Sequence, residues 1–464
     1  MSRAQVVLLA TLVCAVASAQ EVSVFSTTMA QAWKAETTGF GANTYAPVTQ
    51  FLGIDATKLG SDALSLHMYG WGRTDASKGG DLAWSGSKTG GDLSYGYLQY
   101  RFDQANAEIK AGRIAVTQSG SNEMVDGVSA RADLRGGFTV SGFAGRPVLY
   151  SSMTGDAYND YQYQRNVIFG TRLGLRLQKL GEVGVSFLQD GSTAAKDLSI
   201  PSPVDYTRKQ LGFDVHLVPV ARFDFLGRTL FDMASHPAVA AGVEAPSKIA
   251  EHDYSVRVKL TDSVAFTGGF IQRNFFAYFA GTSLPSLFRQ DEKDKFRAQS
   301  GSVIIGSADS VQAVVDYRRT HRESFGDATR IGGELRLAAQ GEYKVRSGFG
   351  VHRVTADDVL FVDSRHPSYS LNHHELRAWV MAEKGNFSAS LDGIRQIYSD
   401  KLNPNLNGVY SIYEMVGSLG WQATQSFKLS ADVSHGSNPL AKKETRGLLR
   451  AEFRFGTSGK GGQK

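Results

Sequence analysis

The chain has 464 residues, of which 20% are charged and 42% hydrophobic, with a formal net charge of +5 and one cysteine, Cys14. A charge this mild and dispersed excludes a nucleic-acid footprint. A lone thiol near the start excludes a disulfide framework, a thiolate metal site and covalent haem attachment.

Residues 1 to 19 carry Arg3, an apolar run from Val6 to Val16 and the small residues Ala17, Ser18 and Ala19 before Gln20. That order is expected of a cleaved secretory signal peptide and is too short for a membrane helix. Cys14 lies inside it after Val13, where a lipidation site would want a small residue. No later stretch approaches the run of about 18 apolar residues that a spanning helix needs.

After residue 20 the pattern is alternation. VSVFSTTMAQAW (22 to 33) and TYAPVTQFLGIDA (44 to 56) read as a first strand pair, followed by a short turn at Thr57 to Asp62. From about residue 62 to 455 twenty further strands follow. Leu211, Phe213, Val215 and Leu217 alternate with Gly212, Asp214 and His216; Val311, Ala313, Val315 and Tyr317 alternate with Gln312, Asp316 and Arg318. Short turns are expected at 103 to 106, Arg135-Gly136, 179 to 182, around Pro219, and at Thr261-Asp262, Ala308-Asp309, Gln340-Gly341, Lys384-Gly385 and Thr424-Gln425. Between them fall longer polar loops, including 74 to 91, 118 to 124, 150 to 164, 190 to 205, 232 to 250, 273 to 295, 320 to 328, 355 to 371, 399 to 408 and 436 to 444.

Tight turns at one end and long loops at the other are the habit of an outer-membrane barrel. The expected fold is therefore an all-β transmembrane antiparallel up-and-down barrel over residues 20 to 456, with about 22 strands. It would have 20 if the first pair were a periplasmic arm, and residues 457 to 464 would be a flexible periplasmic tail. In hydrocarbon an unpaired amide costs several kcal/mol, so the first and last strands must pair. Trp421, Phe427, Phe387, Tyr343, Phe223 and Phe455 all lie near short-turn ends, where an interfacial girdle belongs.

The last strand shows two opposed faces. Gly447, Leu449, Ala451, Phe453 and Phe455 fall on one side and would meet lipid; Arg446, Arg450, Glu452 and Arg454 fall on the other. Parity extends the wet, lumen-lining set to Arg222, Asp224, Arg228, Arg257, Lys259, Asp316, Arg318, Glu334, Arg336, Lys344, Arg346, Asp392, Lys428 and Asp432. Such charges either set the ion preference of a pore or merely solvate the interior and pair across strands. The aromatic loop 275 to 295 is expected to fold inward as a constriction, grip a partner or lie on the rim.

Catalytic and metal signatures are weak. His373, His374 and His352 lack a third ligand at metal spacing. No GxSxG occurs, and Gly459-Lys460 lacks the rest of a phosphate-binding loop. No catalytic residue, metal site or resident cofactor is expected.

Three stretches carry a resemblance: APVTQFLGIDATKLGSDALSLHMYGWGRTD (46 to 75), DLSYGYLQYRFDQANAEIKAGRIAV (92 to 116) and VDGVSARADLRGGFTVSGFAG (125 to 145). They resemble the porin-like outer-membrane proteins of dissimilatory metal-reducing bacteria, and the similarity runs more loosely over most of the chain. The resemblance implies a Gram-negative outer-membrane channel or scaffold, with membrane lipid as one partner. It also implies periplasmic and surface multihaem c-type cytochromes as guests in extracellular electron transfer, every haem belonging to the partner. The residues themselves leave two alternatives open, an open diffusion porin for ions and small polar solutes, and an outer-membrane enzyme. A receptor would need an N-terminal plug domain, for which the sequence before the first strands leaves no room.

Overall fold

The computed structural model describes residues 19–37, 41–77, 89–118, 121–148, 167–191, 207–233, 248–274, 295–322, 326–358, 369–439 and 441–457. The expected signal peptide apart from Ala19, the 275 to 294 part of the aromatic loop and the tail after Thr457 lie outside these residues. Ala19 already belongs to the first strand, one position inside the expected leader.

Twenty-two antiparallel strands form one sheet that closes on itself. Each strand pairs with its neighbours in sequence, and the first, Ala19–Thr37, pairs with the last, Ala441–Thr457, from Val22↔Thr457 to Thr37↔Ala441. The first strand is thus part of the wall and not an arm. Closure leaves no sheet edge unpaired, as a hydrocarbon surrounding requires. Two short pieces, Gly41–Tyr45 and Tyr369–Ser370, prolong hairpins beyond the wall.

Alternation explains which way each side chain points. In Val311–Arg322, Val315 and Tyr317 are 55% and 41% exposed, while Asp316 between them is bonded across the other face. The same parity holds around the ring: exposed Leu335, Phe349, Val380, Leu391, Leu419, Val433, Leu449 and Phe453 all share the outer face. In a closed wall one residue thick, that face is the outside.

At one end the connections are tight. Asp103–Ala105 makes a single 3-10 turn that ends on Asn106 in the left-handed region, φ 45°. Gly385, at φ 55°, supplies the positive dihedral for the two-residue hairpin between His373–Lys384 and Phe387–Tyr398. Pro219 is not a turn residue; it lies inside Thr207–Val220, where the register slips between Leu217 and Val220 because proline has no N–H for the ladder. The turn follows at 221 and 222.

At the other end three of the expected long loops are absent. Gln118 pairs directly with Ser121 and Arg322 with Gly326, and Ser437 and Ala441 end strands only three residues apart. Beyond the apolar band a hairpin is wet on both faces, so its strands continue without the alternation that reveals them in sequence.

The six expected girdle aromatics stand at the tight-turn end. Trp421 and Phe387 face outward and stack with ring centroids 6.3 Å apart, and Phe455 is 52% exposed. Tyr100 and Phe102 extend the girdle, edge to face at 4.7 Å.

Candidate functional site

The inner wall is the candidate site, and register defines its members. Glu452 faces Lys428, Arg450 faces Ser430, and the row continues strand by strand. Asp224, Arg228, Arg257, Lys259, Asp316, Arg318, Glu334, Arg336, Lys344, Arg346, Asp392, Lys428, Asp432, Arg450, Glu452 and Arg454 all fall on this inner face. Arg222 differs: it sits in the tight turn, donating to the Leu260 carbonyl at 3.4 Å.

Curvature brings some of these charges together with residues that parity alone did not single out. Arg330 donates to Asp316 at 2.6 Å and reaches across the intervening strand to Glu375 at 2.8 Å. His352, nearly buried, meets Asp316 through Nε2 at 2.8 Å. Glu334 accepts from Arg336 at 2.7 Å and from the Trp379 indole at 2.8 Å, while Arg377 clasps Asp392 at 2.6 and 3.2 Å. Together these form a continuous ionic patch over five strands.

A second patch lies on the strands from Val167 to Asn274. Arg172 donates to Asp214 at 2.6 and 3.1 Å and to Glu182 at 2.8 Å. Glu251, fully buried, is held between Arg228 and Arg273, the latter at 2.6 Å. A buried carboxylate is tolerated here because each of its oxygens meets a different guanidinium, Oε1 that of Arg228 and Oε2 that of Arg273.

Three expected cations, Arg318, Arg346 and Arg454, make no ion pair among the described residues, and no acidic residue stands opposite them in register. They remain available to a passing anion. At the turn between Lys259 and Val264, outside the wall, the Lys259 ammonium bonds Asp262 at 3.1 Å and holds its carboxyl below the usual range.

The inner wall is not uniformly polar. On the first strands Phe25, Phe51 and Tyr95 each stack on Tyr69, centroids 5.7 to 6.0 Å apart, and Tyr95 leads on to Tyr97, which meets His67 at 5.1 Å. Ile114, Val125, Phe143, Ile168 and Leu188 also face inward and pack into a buried apolar cluster. Alternation carries part of this signal in the sequence: His67 and Tyr69 in Leu64–Asp75, and Ile168 between Val167 and Phe169, take the inward parity.

His373 and His374, being adjacent on a strand, point to opposite faces. His373 Nδ1 engages the Leu371 carbonyl at 2.7 Å. Among the described residues no group of three His, Cys, Asp or Glu side chains is arranged to hold a metal ion.

No protein-family model matches the sequence, and no curated protein matches it either. Among solved structures, the fold is similar to a variant of the ferric enterobactin receptor of Pseudomonas aeruginosa, at 9% identity over 93% of this chain and 80% of that one, with a TM-score of 0.54. It is also similar to a siderophore receptor of the same organism, at 12% identity, the same coverage and a TM-score of 0.50. The translocation pore of the P pilus usher aligns over 93% of this chain and 99% of that one, at 9% identity and a TM-score of 0.47. What the two receptors share with this chain is its fold, a closed antiparallel barrel of the outer-membrane type.

Proposed function

We propose that this chain spans the outer membrane of a Gram-negative bacterium as a channel for ions and small polar solutes. One observation carries the proposal: Leu419, Val433, Leu449 and Phe453 face outward while their chain neighbours Ser418, Asp432, Arg450 and Glu452 face inward. An oily exterior around a charged interior is what lipid outside and water inside demand. Both signs line the wall and largely neutralise one another, so selectivity falls to the cations left over, Arg318, Arg346 and Arg454. No inner-wall residue is assigned a catalytic role.

The test is conductance. Purified barrel in planar bilayers should pass steady current with a mild anion preference, and replacing the three arginines with glutamine should move the reversal potential toward cations. A barrel that inserts but stays silent refutes the open channel; an unchanged reversal potential refutes the assignment of selectivity.

A scaffold around a guest protein is favoured by a different feature, the inward aromatic run from Phe25 to Tyr95 and the apolar cluster around Ile114, which water alone does not reward. In that role the guest, a multihaem cytochrome, supplies every haem, since Cys14 is the chain's only thiol. Electron transfer across vesicles only when such a cytochrome is bound, with no ion current from the barrel alone, would select the scaffold over the channel.

A further inference from the structure

Above the apolar band the outer face changes chemistry. Between Val264 and Tyr398, outward strand positions within six residues of the tight turns carry no charge other than Lys384, which sits at its turn. Then arginines appear. Arg319 and Arg395 come eight residues after Val311 and Phe387, Arg353 nine after Lys344, and Arg297 nine before Gly306. All four face outward by register and all four are exposed.

Their height is set by strand geometry. At 3.3 Å per residue and a tilt near 40°, eight or nine residues climb about 20 to 23 Å, most of the way across an apolar band about 25 Å tall, and the long arginine side chains reach over the rest. The belt therefore stands where hydrocarbon gives way to headgroups, on the side of the longer loops. The tight-turn boundary is built differently, from Trp421, Phe387 and their neighbours.

The belt is short of anions. Arg297 and Arg353 make no ion pair among the described residues. Arg319 shares Asp327 with His321, at 3.1 and 2.6 Å, and Arg395 donates to the Ser411 hydroxyl at 3.1 Å. His321 stands opposite Arg297, and His374 opposite Arg353. Asp327 and Asp357 are the acidic residues of this face among the described residues. Elsewhere, where a charged pair does lie on the outer face, it is self-satisfied: Arg113 clasps Asp126 at 2.8 and 3.0 Å.

We infer that Arg297, Arg319, Arg353 and Arg395 form a binding surface for the phosphate groups of a phosphorylated glycolipid in the outer leaflet. A guanidinium at the edge of hydrocarbon, turned away from the lumen, is stabilised by an anion anchored at the same depth, and its planar fork matches phosphate bidentately. The inference rests on the membrane-spanning orientation proposed above. Each arginine near a charged lipid surface contributes about fivefold in affinity, so removing three should weaken binding on the order of a hundredfold.

The test places the full-length barrel in phosphatidylcholine nanodiscs containing either bisphosphorylated lipid A or its dephosphorylated form. Retained lipid is measured by native mass spectrometry, and insertion is checked by resistance of the unheated band to unfolding on a gel. The expected result is strong retention of the phosphorylated form alone, lost in the combined R297Q, R319Q and R353Q variant and kept when the inward Arg318, Arg346 and Arg454 are replaced instead. Equal retention of both lipids by an inserted wild-type barrel overturns the site without using any variant. So does inorganic phosphate displacing the lipid at equal phosphate concentration, which would make the belt a free-anion site. Failure to insert in either disc would overturn the spanning orientation itself.

Discussion

Leu419 offers the most direct test of which face meets lipid. It is 66% exposed, and its cross-strand neighbours Ala389 and Ala431 are too small to shield it. It lies five residues before Thr424, the end of its strand, or about 13 Å above the tight turns, which is close to the middle of a band about 25 Å tall. Leu419→Arg therefore puts a guanidinium near the bilayer midplane, at a cost of about 2–4 kcal/mol, or roughly 30- to 900-fold in the folding equilibrium. Ser418→Arg, one residue away, points inward beside Asp432 and should change stability by less than about 1 kcal/mol. Reversible urea unfolding from phospholipid vesicles, followed by tryptophan fluorescence, measures both. Equal costs for the two variants, or no cost for Leu419→Arg, would refute the assignment of faces.

Other expectations follow from the wall and its ends. Thr28 and Ala451 are direct partners across the closing seam, so Thr28→Cys with Ala451→Cys should form a disulfide on oxidation and give a distinct gel band; absence of the cross-link in folded barrel would contradict closure by these strands. Arg330→Met leaves Asp316 and Glu375 facing one another beside His352, and because Arg330 is 35% exposed the loss should be about 1–2 kcal/mol in urea unfolding, against less than about 0.5 for Arg318→Met. Asp262 has a folded-state pKa below its unfolded value, so its pairing with Lys259 is in place at neutral pH and is lost as pH falls through that lowered value; carbon-13 NMR should show its titration moving up in Lys259→Gln, and an unmoved titration would sink the assignment.

Sequence made the barrel legible because lipid and water impose opposite demands on adjacent residues. Phe453 beside Glu452, or Val315 beside Asp316, is enough to fix both faces of a strand and, with the parity carried along, the inner set from Asp224 to Arg454. The partners of those charges were not legible. Arg330 reaches Glu375, and Arg172 reaches Asp214, two strands away, and such reach depends on the curvature of the closed wall. Outer connections failed for a different reason: Gln118 to Glu123 is polar throughout and reads as loop, although Gln118 pairs with Ser121 and Thr117 with Asn122 in strands that run past the apolar band. Pro219 was misleading because proline usually marks a turn, whereas here the strand absorbs it with a slip in register.

The seam between Val22 and Thr457 has a kinetic consequence. Pairings within hairpins are local and can form as each segment emerges, but this one joins residues from opposite ends of the chain, so its loop-closure entropy is met last. Until the last strand is in place, the growing sheet has two adhesive borders along its full height, each a template for the wrong strand. Closure of this barrel therefore depends on the amino-terminal strand staying free to pair while some four hundred residues follow it.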